Sequence, residues 1–175
     1  GRELAERMYE STMQFGAEHV YGDVKRIVVD GDYRMVEAGK KTYKTRAVII
    51  ATGSYHRKLG VPGEAQYNGR GVSYCAVCDG AFFKGKKLAV VGGGDSAVEE
   101  GTYLTQFADV NIVHRRDELR AQKVIQDRAF KNEKVSFTWN AIVEEIKGDG
   151  QKVTGVVIRN KNTNEITEEA VDGVF

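Results

Sequence analysis

KLAVVGGGDSAVEE, residues 87–100, is the stretch from which the fold can be read. KLAVV is a short apolar run of strand type, GGGD turns the chain, and residues 96–107 read as a helix with Ala97, Val98, Gly101 and Leu104 inward. Gly92, Gly94 and Ala97 match G-x-G-x-x-G/A in the place that motif must occupy, between a strand and a helix. The residue types have physical reasons. Gly92 allows the tight turn, Gly94 lets the backbone approach a pyrophosphate, and Ala97 lets the helix pack close to the sheet. Asp95 and Ser96 open the helix, whose free N–H groups and partial positive charge suit phosphate. Alone, the motif is as compatible with a ligand-free glycine turn as with a dinucleotide site.

The next strand, 110–114, is reached by the crossover that parallel pairing requires. Its end carries a second signal. An NAD-binding unit has an acidic residue about 20 positions beyond the motif, which holds the ribose 2′-hydroxyl. Here the chain reads HRRDELR, with His114, Arg115 and Arg116 followed by Arg120. A guanidinium fork makes charge-assisted bidentate bonds to a 2′-phosphate, where a carboxylate would repel it. A solvated basic helix start is the bland alternative, but cations at a helix N-terminus oppose the dipole. The pattern therefore points to NADP(H) over NAD(H).

Outward from this βαβ unit, residues 118–131 read as a helix and 135–139 as a strand alternating Val135, Phe137 and Trp139. Antiparallel strands are expected at 141–147, 153–159 and 166–171, with a hairpin turn at 160–164. Toward the N-terminus the pattern predicts a helix over 3–15, with Leu4, Met8 and Phe15 near one face. Strands are expected at 18–21, 24–29, 34–37 and 41–44, punctuated by Gly22, Gly31 and Gly39. AVIIATG (47–53) is a continuous apolar run of the kind that buried strands show. Residues 55–67, with Pro62 and Gly63, break the pattern and mark a domain boundary. The fold class is α/β, a three-layer Rossmann-like domain of parallel sheet plus antiparallel β-meander, with part of a second domain before it.

Composition narrows the function. Lys and Arg total 26 against 25 Asp and Glu, a formal net charge of +1, which argues against broad electrostatic binding to nucleic acid or a membrane surface. No apolar run approaches the roughly 20 residues that span a bilayer, and the polar start GRELAER does not read as a signal peptide. Two cysteines exclude a disulfide-stapled secreted scaffold and fit a reducing compartment, so a soluble cytoplasmic protein is expected.

Those cysteines form the third motif, CAVCDG (75–80). Structural zinc needs four ligands, whereas no second C-x-x-C is present and His19, His56 and His114 are scattered, so no metal is expected. A purely structural disulfide would close a very short loop, worth about 2 kcal/mol in chain entropy. A redox-active dithiol explains both the spacing of Cys75 and Cys78 and their being the only cysteines. Asp79, beside them, suits the proton that thiol–disulfide exchange moves.

Together these residues resemble the low-molecular-weight class of bacterial thioredoxin reductases. The likeness runs through ATG (51–53), RGVSYCAVCDG (70–80), VVGGGDSAVEE (90–100) and HRRDELRA (114–121), and so covers essentially the whole chain. In that family an FAD domain is interrupted by an inserted NADPH domain that carries the redox cysteines. The resemblance thus implies a partial FAD-binding domain at 1–54, an NADPH-binding domain at 55–170, and a return into the FAD domain at 171–175. It implies that NADPH, with its 2′-phosphate on Arg115, Arg116 and Arg120, passes a hydride to FAD, and that reduced flavin opens the Cys75–Cys78 disulfide. By the same resemblance Cys78 faces the flavin, Cys75 attacks the disulfide of thioredoxin, and Asp79 is the acid. Glu99 matches a position near the nicotinamide end, and Thr52 and Gly53 match a stretch that approaches FAD. The family forms homodimers largely through the FAD domain, and its NADPH domain rotates about hinges expected near 55–67 and Val171.

Neither the family's N-terminal FAD fingerprint nor its C-terminal FAD segment has a counterpart here. The chain therefore reads as the middle of a longer protein, with an incomplete FAD site and no turnover alone. Two alternatives differ in predictable ways. The flavoprotein subunit of alkyl hydroperoxide reductase usually has Pro-His between its cysteines, where this chain has Ala76-Val77. A non-catalytic NADPH-binding module would have no need of Cys75, Cys78 and Asp79.

Overall fold

A computed structural model describes residues 2–53 and 55–175, which divide into two units, Gly1–Ser54 and Tyr55–Phe175. The first holds α1 (Arg2–Gln14) and an antiparallel meander of β1 (Val24–Asp30), β2 (Tyr33–Ala38) and β3 (Lys41–Thr45). Ion pairs Arg2–Glu6 and Glu3–Arg7 lie one turn apart along α1, which buries no residue. Asp30 pairs with Tyr33 and Ala38 with Lys41, so two-residue turns join the strands. Gly31 and Gly39 open those turns at φ 56° and 61°, a left-handed conformation that glycine takes without strain.

Two expectations fail in this unit. Residues 18–21 form no strand, and neither does AVIIATG: Ile49 and Ile50 are 91% and 73% exposed. A buried parallel strand needs partners at its edges and layers on both faces. Among the described residues of this unit the only sheet is the β1–β3 meander, and 47–53 does not join it.

The second unit begins with an irregular stretch and then α2 (Ala76–Asp79), a single helical turn absent from the sequence reading, and a 3₁₀ turn over Gly80–Phe83. Next come β4 (Lys87–Val91), α3 (Asp95–Leu104), β5 (Asp109–Val113), α4 (Lys123–Phe130) and β6 (Val135–Thr138). The meander of β7 (Ala141–Gly148), β8 (Val153–Asn160) and β9 (Ile166–Glu169) leads into β10 (Gly173–Val174). Strand order in the central sheet is β10-β4-β5-β6, all parallel, and β7-β8-β9 is antiparallel.

Period-2 alternation divides the core between two faces of the parallel sheet. Leu88, Val90, Val110 and Ile112 pack with Leu104, Ala76 and Phe83 on the helical side. Ala89, Val113 and Val174 pack with Val143, Ile146, Val156 and Val171 of the meander side. Both faces are covered, as a parallel sheet requires. α3 lies close to the sheet because Gly101 faces Ile112, where an added Cβ would stand 3.2 Å from Ile112 Cδ1.

The helix expected over 118–131 begins only at Lys123. The backbone N–H groups of Arg120 and Ala121 donate to Gly93 O (2.7 and 3.1 Å), and that of Gln122 donates to Asp95 Oδ1 (2.7 Å). Tertiary bonds to the glycine turn thus replace the first helical turn and hold the arginine-rich segment against it. The α3 helix likewise ends at Leu104, with Thr105–Phe107 as a turn.

Candidate active site

Two centres lie in the second unit, at the C-terminal ends of β4 and β5 and around α2. At the first, Gly92 has φ 151°, and a Cβ there would stand 2.7 Å from Ala97 Cβ, so the turn and the start of α3 touch. Gly94 is the N-cap of α3, with no side-chain cap bond, and an added Cβ would meet nothing within 4 Å. The protein's own packing does not require glycine at that position. What glycine leaves is open backbone at a helix N-terminus, where first-turn N–H groups lack intrahelical partners.

His114 directly follows β5, and a Cβ on Gly93 would lie 2.4 Å from its ring. The imidazole is only 3% exposed, and its Nε2 has no hydrogen-bond partner among the described residues. Burial, then the positive charges of Arg120, Arg115 and Arg116, push its pKa below the ordinary histidine value, so it is neutral at pH 7. Arg115 and Arg120 are exposed and line a groove of about 490 Å³ together with Gly92, Gly93 and His114. Arg116 is exposed beside it but does not line the groove, and its carbonyl accepts the Asn140 N–H at 3.0 Å. Trp139, the only tryptophan, stands edge-on to His114 at 6.4 Å between ring centroids.

The donors fit a phosphorylated dinucleotide: an uncapped helix N-terminus, an open glycine, two groove-lining guanidiniums and an orphaned buried imidazole nitrogen. Ser96 and Ala97 line a neighbouring cavity of about 390 Å³ with Tyr55, His56 and Glu100. Glu99 is exposed on α3 and does not line that cavity.

At the second centre Cys75 and Cys78 are joined as a disulfide, with Cα atoms 5.3 Å apart. Cys75 is the N-cap of α2, and the Cys78 N–H donates to its Sγ at 3.2 Å. Cys75 is half-buried and Cys78 exposed. Asp79 Oδ2 accepts a 2.6 Å hydrogen bond from the buried Ser73 hydroxyl, whose oxygen in turn accepts the Cys75 N–H at 3.1 Å. Thr52 and Gly53 lie in the exposed, unpaired 47–53 segment of the other unit.

Besides Ser73, two residues not singled out by the sequence reading hold the disulfide segment. Glu100 Oε2 accepts the Ala76 N–H at 3.1 Å, linking α3 to α2. Glu64, 4% exposed, accepts the N–H groups of Leu59 (2.9 Å) and Gly60 (2.7 Å) and the hydroxyl of Tyr74 (2.9 Å). Helical phase marks Glu100, three residues after Ala97 and four before Leu104, as facing inward. No local pattern marks Glu64, because its partners are set by the irregular chain path around it.

Burial alone would raise the Glu64 pKa, but its two backbone donors, Tyr74 and nearby Lys58 outweigh it and hold the carboxyl below the ordinary range. Burial and this carboxylate push the Tyr74 phenol up to about 12. A depressed carboxyl pKa adds stability above its unfolded value, and that stability disappears as pH falls through the folded value. Glu64→Gln should therefore lower stability by about 1–3 kcal/mol at pH 7. The gap to the parent should close on acidification, which urea unfolding at pH 7 and at pH 3 measures.

Comparison with known proteins places this geometry. The model of the pyridine nucleotide-disulphide oxidoreductases matches residues 4–175. The chain belongs to that family. Thioredoxin reductase of Listeria monocytogenes is 61% identical over the whole chain, and that of Bacillus subtilis 59%. The chain spans 55% and 56% of those relatives, about half their length. A crystal structure of Lactococcus lactis thioredoxin reductase, in its FR conformation, superposes with a TM-score of 0.73 at 52% identity, over 99% of this chain and 58% of that one. Thioredoxin reductase from Giardia duodenalis gives 0.76 at 37% identity, over 99% and 57%. The mixed α/β fold with parallel and antiparallel sheets is thus that of known thioredoxin reductases. Among the described residues no helix of this family member is long and apolar enough to cross a membrane.

Proposed function

We propose that the full-length protein is an NADPH-dependent thioredoxin-disulfide reductase. The observation that carries this reading is a disulfide between the chain's only two cysteines, hydrogen-bonded through Ala76 to the helix that opens on the glycine turn. Bound NADPH supplies two electrons as a hydride. Gly92, Gly94, Asp95, Ser96 and Ala97 would receive the pyrophosphate at α3, while Arg115, Arg116 and Arg120, with His114 beneath, would take the 2′-phosphate. Glu99 is proposed near the nicotinamide end.

FAD is the relay that the family resemblance assigns to the whole protein. Thr52 and Gly53 remain the proposed contacts, and both are exposed. This chain's residues supply the two ends of the path.

At the sulfur end, two electrons break the Cys75–Cys78 bond and two protons complete the thiols. Cys75, as thiolate, then attacks a thioredoxin sulfur; the S–S bond of thioredoxin breaks and the leaving thiolate takes a proton from Asp79. Attack by Cys78 on the mixed disulfide releases the second thioredoxin sulfur and restores the Cys75–Cys78 bond. The Cys78 N–H directed at Cys75 Sγ supports Cys75 as the thiolate, since such a donor favours its charged form. Ser73 orients the Asp79 carboxyl. The protein is proposed to work in the cytoplasm as a homodimer.

The test is NADPH-driven reduction of thioredoxin by the full-length protein. Turnover is expected, and Asp79→Asn should slow it by about a hundredfold, with NADPH affinity unchanged. No turnover on thioredoxin would overturn the reading, and an unchanged Asp79→Asn rate would remove Asp79 from the exchange.

A further inference from the structure

The hydrogen bond from α2 to α3 carries a role that the proposed reaction does not itself assign. We propose that Glu100 is a positioning residue which holds the redox turn on the dinucleotide-binding helix and, through its charge, sets how readily the Cys75–Cys78 disulfide is reduced. The inference rests on the redox reading of that disulfide.

Glu100 is half-buried on α3, between Ala97 and Leu104 on the inward face. Its Oε2 takes the N–H of Ala76, the residue directly after Cys75, at 3.1 Å. Ala76 is 1% exposed, so water cannot replace that acceptor. The same carboxylate lines the cavity that holds Ser96 and Ala97 at the start of α3. One side chain therefore touches both the backbone of the redox turn and the proposed dinucleotide region.

The sign of its effect follows from charge. The opening N–H groups of α2 favour negative charge on the N-cap sulfur, and the Cys78 N–H already points at Cys75 Sγ. A carboxylate on the adjacent peptide opposes that negative charge. It therefore disfavours the Cys75 thiolate and makes the reduced pair a stronger reductant. Two other carboxylates near the turn are otherwise engaged. Asp79 accepts from Ser73, and Glu64 accepts from Tyr74, Leu59 and Gly60.

Two substitutions separate charge from shape. Glu100→Gln keeps a carbonyl oxygen for the Ala76 N–H and removes the charge; Glu100→Ala removes both. Equilibration of the full chain with glutathione reads the couple directly, as protein disulfide plus two glutathione thiols gives protein dithiol plus one glutathione disulfide. Glu100→Gln is expected to shift that constant about tenfold toward the dithiol, equivalent to about 30 mV for a two-electron couple. The pH profile of Cys75 alkylation should move to lower pH in the same variant. Glu100→Ala should show a lowered unfolding midpoint as well.

An unchanged constant and alkylation profile in Glu100→Gln would reduce Glu100 to a structural cap and overturn the inference. Failure of Glu100→Gln to fold would do the same, because its oxygen can accept the same bond. If instead the parent disulfide does not exchange with glutathione at all, the redox reading of the pair fails first.

Discussion

Cys75→Ser in the full-length protein is expected to lower NADPH-driven thioredoxin reduction by at least about a thousandfold, the scale on which loss of a reacting nucleophile is felt. The reason is chemical. Cys75 and Cys78 are the only cysteines of this chain and are bonded to each other, so within it neither has a third thiol to take its place. A serine hydroxyl neither forms the disulfide nor ionises to a comparable nucleophile near neutral pH. Cys78→Ser should be equally inactive in turnover but for a different reason. Its Cys75 can attack once, and with no resolving thiol it should accumulate a mixed disulfide with thioredoxin, visible on non-reducing electrophoresis. NADP⁺ binding by either variant should stay within about twofold of the parent, since the glycine turn and its arginines lie on other elements. The fluorescence of Trp139, edge-on to His114, reports that binding in this chain. Retained turnover in Cys75→Ser would remove the pair from the reaction.

The second large effect concerns cofactor choice. Arg115→Ala and Arg120→Ala should each weaken NADPH binding by roughly ten- to a hundredfold, the equivalent of a lost charge-assisted contact at about 1.5–3 kcal/mol. NADH, which lacks the 2′-phosphate, should lose far less. Both side chains line the groove beside Gly92 and Gly93, and the segment that carries them is held there by the bonds of Arg120 and Ala121 to Gly93 O. Arg116→Ala should have the smaller effect, because Arg116 does not line the groove. Titration of each variant with both cofactors is the check; equal losses for NADPH and NADH would contradict the 2′-phosphate assignment.

The βαβ unit was legible because its signals are local. Strand, glycine turn and helix succeed one another within residues 87–104, and the observed β4 and α3 follow that order. The alternating meander after Trp139 was legible for the same reason. AVIIATG was misread because an apolar run states a demand for partners, and the described residues of its unit supply none. The start of α4 was misplaced because Gly93, some 30 residues earlier, takes the N–H groups that a first turn would have used. At the site, cysteines and arginines announced themselves by type and spacing. Ser73, Glu64 and Glu100 act through single long-range hydrogen bonds, which leave no periodic trace.

The central claim is that electrons from NADPH reach the Cys75–Cys78 disulfide. Anaerobic addition of NADPH to the full-length protein, followed by thiol alkylation and peptide mass mapping, tests it directly. Alkyl groups on both Cys75 and Cys78 after NADPH, and on neither before it, is the predicted result; a pair that stays disulfide-bonded under NADPH would contradict the account.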